Sequence, residues 1–278
     1  MREDLAAATD TLARAGVTTP RADAEWLLAG LLGLGRATLA LGLDARLDPE
    51  TAARYDAAVR RRARREPLQQ ILGWEDFRGL RVRVTPDVLV PRPETEMLVE
   101  WALELVPGPR LAVDVGTGSG CIACAIAAER PAARVVAVDR SAAAAAVARA
   151  NVQALGVGDR VRVVVADLLM PVGDALADLV VANLPYLPTA VVAALSPEVA
   201  RHEPRAAIDG GPNGLAELRR LVAVAPSRLR QGGRLVVETA GGTQTPEVVA
   251  LMRAAGFSEV ATRHDLPGVE RFVAGRCG

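Results

Sequence analysis

Leu111-Ala112-Val113-Asp114-Val115-Gly116-Thr117-Gly118-Ser119-Gly120 decides the fold of this 278-residue chain. Its first half is a short apolar run, the mark of a strand buried on both faces. Its second half alternates glycine with small residues and leads into Cys121-Ile122-Ala123-Cys124, the opening of an apolar helix. A strand, a glycine turn and a helix in that order make one βα unit. The same alternation continues to the C-terminus. Strands are expected at 111–115, 134–138, 161–165, 178–182, 206–208 and 233–238, with two more near 258–264 and 270–274. Helices are expected over about 120–129, 141–155, 214–229 and 245–255. This is the pattern of an α/β, doubly wound, mostly parallel sheet.

Glycines in such a loop let the backbone approach a ligand, and the helix that follows offers free N–H groups. The spacing Gly-x-Gly-x-Gly lacks the last glycine of the dinucleotide fingerprint. Nor is there a Gly-Lys-Ser/Thr, so the loop is not a phosphate loop. Asp114, just before the glycines, would repel a pyrophosphate and suits an ammonium or sulfonium group. Asp139 ends the second strand, where a carboxylate can accept from both ribose hydroxyls. Asp167 ends the third and can accept from an adenine amine, with Leu168 covering the ring. Acids at three successive strand ends describe a site for S-adenosylmethionine. Its expected contacts are Asp114, Gly116, Thr117, Gly118, Ser119, Gly120, Asp139, Asp167, Leu168 and Asn183.

The fourth strand, Leu179-Val180-Val181-Ala182, runs into Asn183-Leu184-Pro185-Tyr186. An amide oxygen and a backbone carbonyl at a strand end can accept the two N–H bonds of a planar NH2 group. The Tyr186 ring can pack on that group's π-face. A plain strand-end turn is the alternative for four residues taken alone.

The bulk composition narrows the function classes. Half the residues are hydrophobic and only 3% aromatic, so the core is aliphatic. The 33 basic residues balance 33 acidic ones, leaving no overall field to hold nucleic acid. Every basic residue is Arg, which removes Lys-dependent Schiff-base chemistry. The N-terminus lacks a basic patch followed by an apolar stretch, and no apolar run reaches membrane-span length. A soluble, cytoplasmic protein is expected, with no membrane partner and nothing that demands more than a monomer.

Residues 1–68 read as a helical domain. Leu5, Ala8 and Leu12 share one helix face, a second helix begins near Pro20, and a third begins near Pro49 and carries Tyr55 and Val59. The third runs into Arg60-Arg61-Arg62-Ala63-Arg64-Arg65, either a solvated helix end or a docking patch for an acidic or RNA-associated partner. Residues 69–90 read as a β-hairpin linker, with Leu80, Val82 and Val84 alternating and Gly79 in the turn. Residues 91–278 form the catalytic domain, opening with the extended Pro91-Arg92-Pro93 and a helix that turns Leu98, Trp101 and Leu105 inward. Cys121 and Cys124 have no second Cys pair and no nearby His, so core packing is expected there and no metal site. His202 and His264 lack a nucleophile context and read as structural.

The chain resembles the HemK/PrmC release factor glutamine methyltransferases over essentially its whole length. The matching pieces are Arg-x-Asp-Ala-Glu-x-Leu-Leu at 21–28, Arg-Arg-Glu-Pro-Leu-Gln at 64–69 and Pro-Arg-Pro-Glu-Thr-Glu at 91–96. To these are added the glycine loop at 114–120, Asn-Leu-Pro-Tyr at 183–186, Glu203-Pro204, Gly210-Gly211-x-x-Gly214-Leu215 and Asp265-Leu-Pro-Gly268-x-x-Arg271. The resemblance implies a Rossmann-like seven-stranded S-adenosylmethionine-dependent methyltransferase domain behind a small helical substrate-binding domain. It implies methylation of the side-chain amide nitrogen of the glutamine in the Gly-Gly-Gln loop of bacterial peptide chain release factors. Asn183, Pro185 and Tyr186 take the catalytic positions, and Asn183 to Tyr186 together bind the substrate. The family tetrapeptide is usually Asn-Pro-Pro-Tyr, and Leu184 departs from it. Asn-Leu-Pro-Tyr is also similar to the motif of ribosomal RNA adenine dimethylases, which keeps an adenine amine open as the acceptor. A ribosomal-protein glutamine is the other alternative, although the enzymes of that kind differ after the Pro-Arg. Neutral charge speaks against stable nucleic-acid binding.

Overall fold

The computed structural model describes residues 1–278. None of its helices is long and apolar enough to cross a membrane. The chain divides into two compact units, Met1–Trp74 with Ser196–His202, and Glu75–Leu195 with Glu203–Gly278.

The first unit is helical: α1 (Arg2–Arg14), α2 (Pro20–Leu32), α3 (Arg36–Leu41), α4 (Pro49–Ala63) and α5 (Leu68–Leu72). Leu5, Ala8 and Leu12 form the buried face of α1, as their spacing predicts. Pro20 and Pro49 sit in first turns, where a missing N–H loses no helical bond. Asp48 caps α4 by accepting from Thr51 N at 2.9 Å. The buried Tyr55 donates its hydroxyl to Ala24 O at 3.0 Å, tying α4 to α2. Helices α3 and α5 were not expected, because five or six residues are too few to display a 3.6-residue period.

The basic cluster is largely internal to this unit. Arg62 is only 5% exposed. Its Nε donates to Asp23 Oδ2 at 2.7 Å and its Nη1 pairs with Glu198 Oε1 at 2.8 Å. Arg65 Nε also donates to Glu198, at 2.6 Å, and Arg61 pairs with Glu66. Only Arg60 and Arg64 stay exposed outside these pairs.

The second unit begins with a hairpin, β1 (Trp74–Phe77) and β2 (Leu80–Arg83), although Trp74 itself groups with the first unit. Arg78 and Gly79 both have positive φ, 47° and 75°, the two-residue turn that suits the twist of hairpin strands. There follow α6 (Pro93–Leu105), β3 (Leu111–Val115), α7 (Cys121–Glu129), β4 (Arg134–Asp139), α8 (Ala142–Ala154), β5 (Val161–Val165) and β6 (Ala177–Ala182). After the short α9 (Thr189–Val192) come α11 (Ala216–Arg228), β7 (Leu229–Glu238), α12 (Gln244–Ala254), β8 (Phe257–His264) and β9 (Glu270–Cys277), whereas α10 (Pro197–His202), which follows α9 in sequence, belongs to the first unit.

Seven strands form one sheet in the order β5-β4-β3-β6-β7-β9-β8. The first five are mutually parallel, and β9 is antiparallel to both its neighbours. Alternate β6 residues serve opposite faces. Leu179 and Val181 pack with α6 and α7, whereas Val180 and Ala182 pack with α11 and α12. All four are fully buried, which is why the run reads as uninterruptedly apolar. The expected strand at 206–208 is instead a 3₁₀ turn, Arg205–Ala207, followed by a single bridge between Leu187 and Asp209. Pro204 before the turn removes one donor, and no adjacent strand lies in register to extend the pairing.

The chain leaves β3 toward β4 and β5 on one side, then returns to place β6 on the other. Parallel sheets open a crevice beyond the strand C-termini at that reversal.

Candidate active site

A cavity lies at that reversal, and most of the sequence-predicted residues meet in it. Gly116, Thr117, Gly118, Ser119, Asp139, Asp167, Leu168, Asn183, Leu184 and Pro185 line its wall. Arg92 and Thr95, from the Pro-Arg-Pro-Glu-Thr-Glu stretch, join them, as do the apolar Val138, Ala166 and Ile122.

Asp139 ends β4 and is braced from two sides: Gly118 N donates to Oδ2 at 2.9 Å and Ser141 N to Oδ1 at 2.8 Å. Asn151 of α8 holds the loop from behind, donating to Ser119 O at 2.7 Å and to Arg83 O at 3.0 Å. Nothing in the sequence marked this asparagine, which reads as one polar residue of a helix.

Asp114, Gly120 and Tyr186 are placed differently from expectation. Asp114 is fully buried behind the loop and does not line the cavity. Its Oδ2 accepts from Thr117 Oγ1 at 2.5 Å and from Ala123 N at 3.1 Å, so the carboxylate shapes the loop from within. Its Oδ1 is buried without a partner. Burial pushes its pKa up to about 7, against the pull of the Thr117 and Ala123 hydrogen bonds. Gly120, at φ 82°, lies outside the cavity wall with its α-carbon against Ala148. Tyr186 is likewise outside the wall and donates its hydroxyl to Glu238 Oε1 at 3.1 Å. Asp167 does reach the cavity, but its Oδ2 is paired with Arg220. Leu168 beside it holds φ 47°, a left-handed conformation that non-glycine residues seldom adopt.

The Asn183 loop is fitted tightly to its surroundings. A side chain at Gly116 would strike Leu184, so glycine there lets the Leu184 side chain pack on the loop. Leu184 is 5% exposed and belongs to the core. A side chain at Gly214 would meet Tyr186 O and Gln244 Nε2, which are hydrogen-bonded to one another at 2.7 Å.

Thr95, from the Pro-Arg-Pro-Glu-Thr-Glu stretch, and Glu238, at the end of β7, complete the arrangement through a contact that their spacing in sequence does not show. Asn183 Nδ2 donates to Thr95 Oγ1 at 2.9 Å, and Thr95 Oγ1 donates to Glu238 Oε2 at 3.0 Å. Burial raises the Glu238 pKa to about 7, opposed by those hydroxyl donors and by Arg271. Nearby, Arg92 Nη2 reaches both oxygens of Glu203, at 2.7 and 2.8 Å. The cysteines are inert: burial pushes the Cys121 and Cys124 thiols up to about 12. No group of His, Cys, Asp and Glu side chains is arranged to hold a metal ion.

Residues 3–73 match the model of the PrmC N-terminal domain, and residues 94–198 match that of the Methyltransferase small domain. The release factor glutamine methyltransferase of Geobacter sulfurreducens is 46% identical over 267 residues, spanning 96% of this chain and 93% of that protein. This chain belongs to the release factor glutamine methyltransferase family. The Mycolicibacterium smegmatis member is 45% identical over 278 residues, 98% of this chain and 96% of its own length. Among solved structures, the hMettl16 catalytic domain in complex with a MAT2A 3′UTR hairpin superposes with a TM-score of 0.60 at 18% identity, covering 83% of this chain and 81% of that one. The likeness at that identity is one of fold, and it is the seven-stranded methyltransferase sheet.

Family membership implies S-adenosylmethionine as the methyl donor, and the residues present fit it. The cavity offers a carboxylate for a diol in Asp139, backbone N–H groups in the glycine loop and an apolar slot in Val138, Ala166, Leu168 and Ile122.

Proposed function

We propose that this chain transfers a methyl group to the side-chain amide nitrogen of the glutamine in the Gly-Gly-Gln loop of a bacterial peptide chain release factor. The observation that carries this reading is that Asn183 and Leu184 line the same cavity as Asp139 and the glycine loop. An acceptor for an NH2 group and a seat for a methyl donor then share one chamber.

An amide nitrogen is a poor nucleophile because its lone pair is delocalised into the carbonyl. Asn183 Oδ1 and the Leu184 carbonyl oxygen each accept one amide hydrogen, which holds the nitrogen in place and stabilises the positive charge it gains on taking the methyl; one of the two protons then leaves to water. S-adenosylmethionine, when bound, supplies the methyl on a positively charged sulfur. Asp139 would hold its ribose hydroxyls, the Gly116–Ser119 backbone its amino-acid portion, and Asp167 with Leu168 its adenine. Pro185 fixes the turn after the acceptor pair. Tyr186, with its hydroxyl tied to Glu238, supports the pair from beside the cavity. Leu184 serves this scheme as well as proline does, since its carbonyl is the working group and its side chain is in the core.

The helical unit, Met1–Trp74 with Ser196–His202, is assigned to gripping the protein substrate. The chain works on translation components in the cytoplasm, as a monomer and without a stable nucleic-acid complex. Its zero net charge and the internal pairing of Arg61, Arg62 and Arg65 support that assignment.

Asn183→Ala tests the acceptor pair. Transfer to release factor is expected to fall by about 100-fold or more, from loss of an oriented acceptor at a developing charge. Affinity for S-adenosylhomocysteine should stay near that of the unaltered enzyme. Undiminished turnover would reject the acceptor role.

A further inference from the structure

Glu238 and Thr95 lie 143 residues apart in sequence and touch only because β7 ends beside the first turn of α6. Both are buried, at 1% and 3% exposure. A buried carboxylate at a strand end next to the site demands a reason, because desolvating it is costly.

The hydrogen bonds have a fixed polarity. An ionised carboxylate can only accept. Glu238 Oε2 therefore takes the Thr95 hydroxyl proton at 3.0 Å, and Oε1 takes the Tyr186 hydroxyl proton at 3.1 Å. With its proton committed, Thr95 Oγ1 has only lone pairs left for the Asn183 amide, 2.9 Å away. Only the Nδ2 edge of that amide can face it. The Oδ1 edge is then left for the cavity that Asn183 lines.

We propose that Glu238, acting through Thr95, is a positioning group that sets which edge of the Asn183 amide meets the substrate. The two amide edges have nearly the same shape, so packing alone cannot choose between them. In the opposite setting Nδ2 would point its hydrogens at the substrate NH2, donor against donor, and the clamp would not form. The inference rests on the proposed role of Asn183 as acceptor for a glutamine amide.

Polarity holds only while Glu238 is ionised. A protonated Glu238 can donate to Thr95 Oγ1, freeing the threonine proton to point at Asn183 Oδ1 and reversing the amide. The charged and titratable groups around Glu238 are Tyr186 and Arg271, which favour its ionised form or share its hydrogen bonds, and Glu94, which opposes ionisation.

The test compares the unaltered enzyme with Thr95→Val, Thr95→Ser and Glu238→Gln. Methyl transfer to release factor is followed across pH, together with calorimetric binding of S-adenosylhomocysteine and thermal unfolding. Thr95→Val should lower kcat by about tenfold, the rate equivalent of one hydrogen bond. KM for release factor and S-adenosylhomocysteine affinity should hardly move, the unfolding temperature should drop because Glu238 Oε2 and Asn183 Nδ2 each lose a partner, and Thr95→Ser should restore both kcat and stability. The acid limb of the kcat profile should vanish in Glu238→Gln. In NMR spectra, one Asn183 side-chain N–H proton should be protected from exchange in the unaltered enzyme and lose protection in Thr95→Val. Unchanged kcat in Thr95→Val, an acid limb retained in Glu238→Gln, or an unprotected Asn183 amide would each overturn the proposal. If Thr95→Val does not fold, the Glu238→Gln profile and the Asn183 proton decide. An unaltered enzyme that shows the protected proton yet leaves the glutamine unmodified would reject the acceptor reading and not the relay.

Discussion

Gly118 donates its backbone N–H to Asp139 Oδ2 at 2.9 Å, so the glycine loop and the end of β4 are one hydrogen-bonded piece. Ser141 N holds the other carboxylate oxygen at 2.8 Å. The carboxylate is thus oriented before any ligand arrives, which spares the ordering cost on binding.

From this follows a sharp effect for Asp139→Ala. Two charge-assisted hydrogen bonds to a diol are lost and the loop loses its anchor. S-adenosylhomocysteine affinity should drop by about 100-fold or more, from two hydrogen bonds to a charged group at roughly 1.5–3 kcal/mol each. Isothermal calorimetry measures it. Asp139→Asn, which keeps acceptor geometry on one oxygen, should lose less.

The helical unit should depend on one arginine. Arg62 is buried between Asp23 and Glu198, and its loss leaves the buried Asp23 carboxylate without a cationic partner, while Glu198 keeps Arg65. Arg62→Ala should destabilise that unit by about 3–5 kcal/mol, visible as an early transition in denaturant unfolding. Glu198 adds an acid signature. Burial raises its pKa, but Arg65 and Arg62 outweigh that and hold it down to about 2. Its folded pKa is below its unfolded one, so its stabilisation is present above the ordinary carboxylate range and is lost as pH falls toward about 2.

Asp114 and Glu238 act in the opposite sense. Burial raises both pKa values to about 7, so the folded state binds their protons more tightly than the unfolded state. Stability should therefore fall as pH rises from the ordinary carboxylate range to about 7. Glu238→Gln should flatten part of that slope in urea titrations repeated across pH. A slope unchanged by the substitution would remove Glu238 from the account.

Cys121 and Cys124 should resist alkylation at neutral pH. Their thiols are buried and pushed up to about 12, leaving almost no thiolate. Mass spectrometry after brief iodoacetamide treatment of the native enzyme should find both unmodified, and both labelled after denaturation. Rapid native labelling of either would revive a redox reading of the pair.

Much of this molecule is legible because its signals are local. The strand, glycine turn and helix at 111–129 carry both the fold and the loop, and Asn183 and Asp139 are strand-end residues whose placement follows from the sheet. Other features depend on partners that sequence spacing cannot supply. Thr95 and Glu238 meet across 143 residues, so neither declares the other. Asp114 falls at the C-terminal end of β3 as the strand pattern predicts, yet which side of the loop its carboxylate takes is decided by Thr117 Oγ1 and Ala123 N. Tyr186 was expected against the acceptor, but a hydrogen bond to Glu238 draws its hydroxyl away from the cavity wall. The segment at 206–208 has strand-like residues and no register partner beyond one bridge, so it turns instead.

The most direct measurement is the site of modification on a bacterial release factor incubated with this enzyme and S-adenosylmethionine. Fragmentation mass spectrometry of the Gly-Gly-Gln peptide should show one added methyl on the glutamine side chain. Transfer should be absent from a substrate whose glutamine is alanine and from a ribosomal RNA control. An unmodified glutamine, or methyl groups found on RNA instead, would contradict the account.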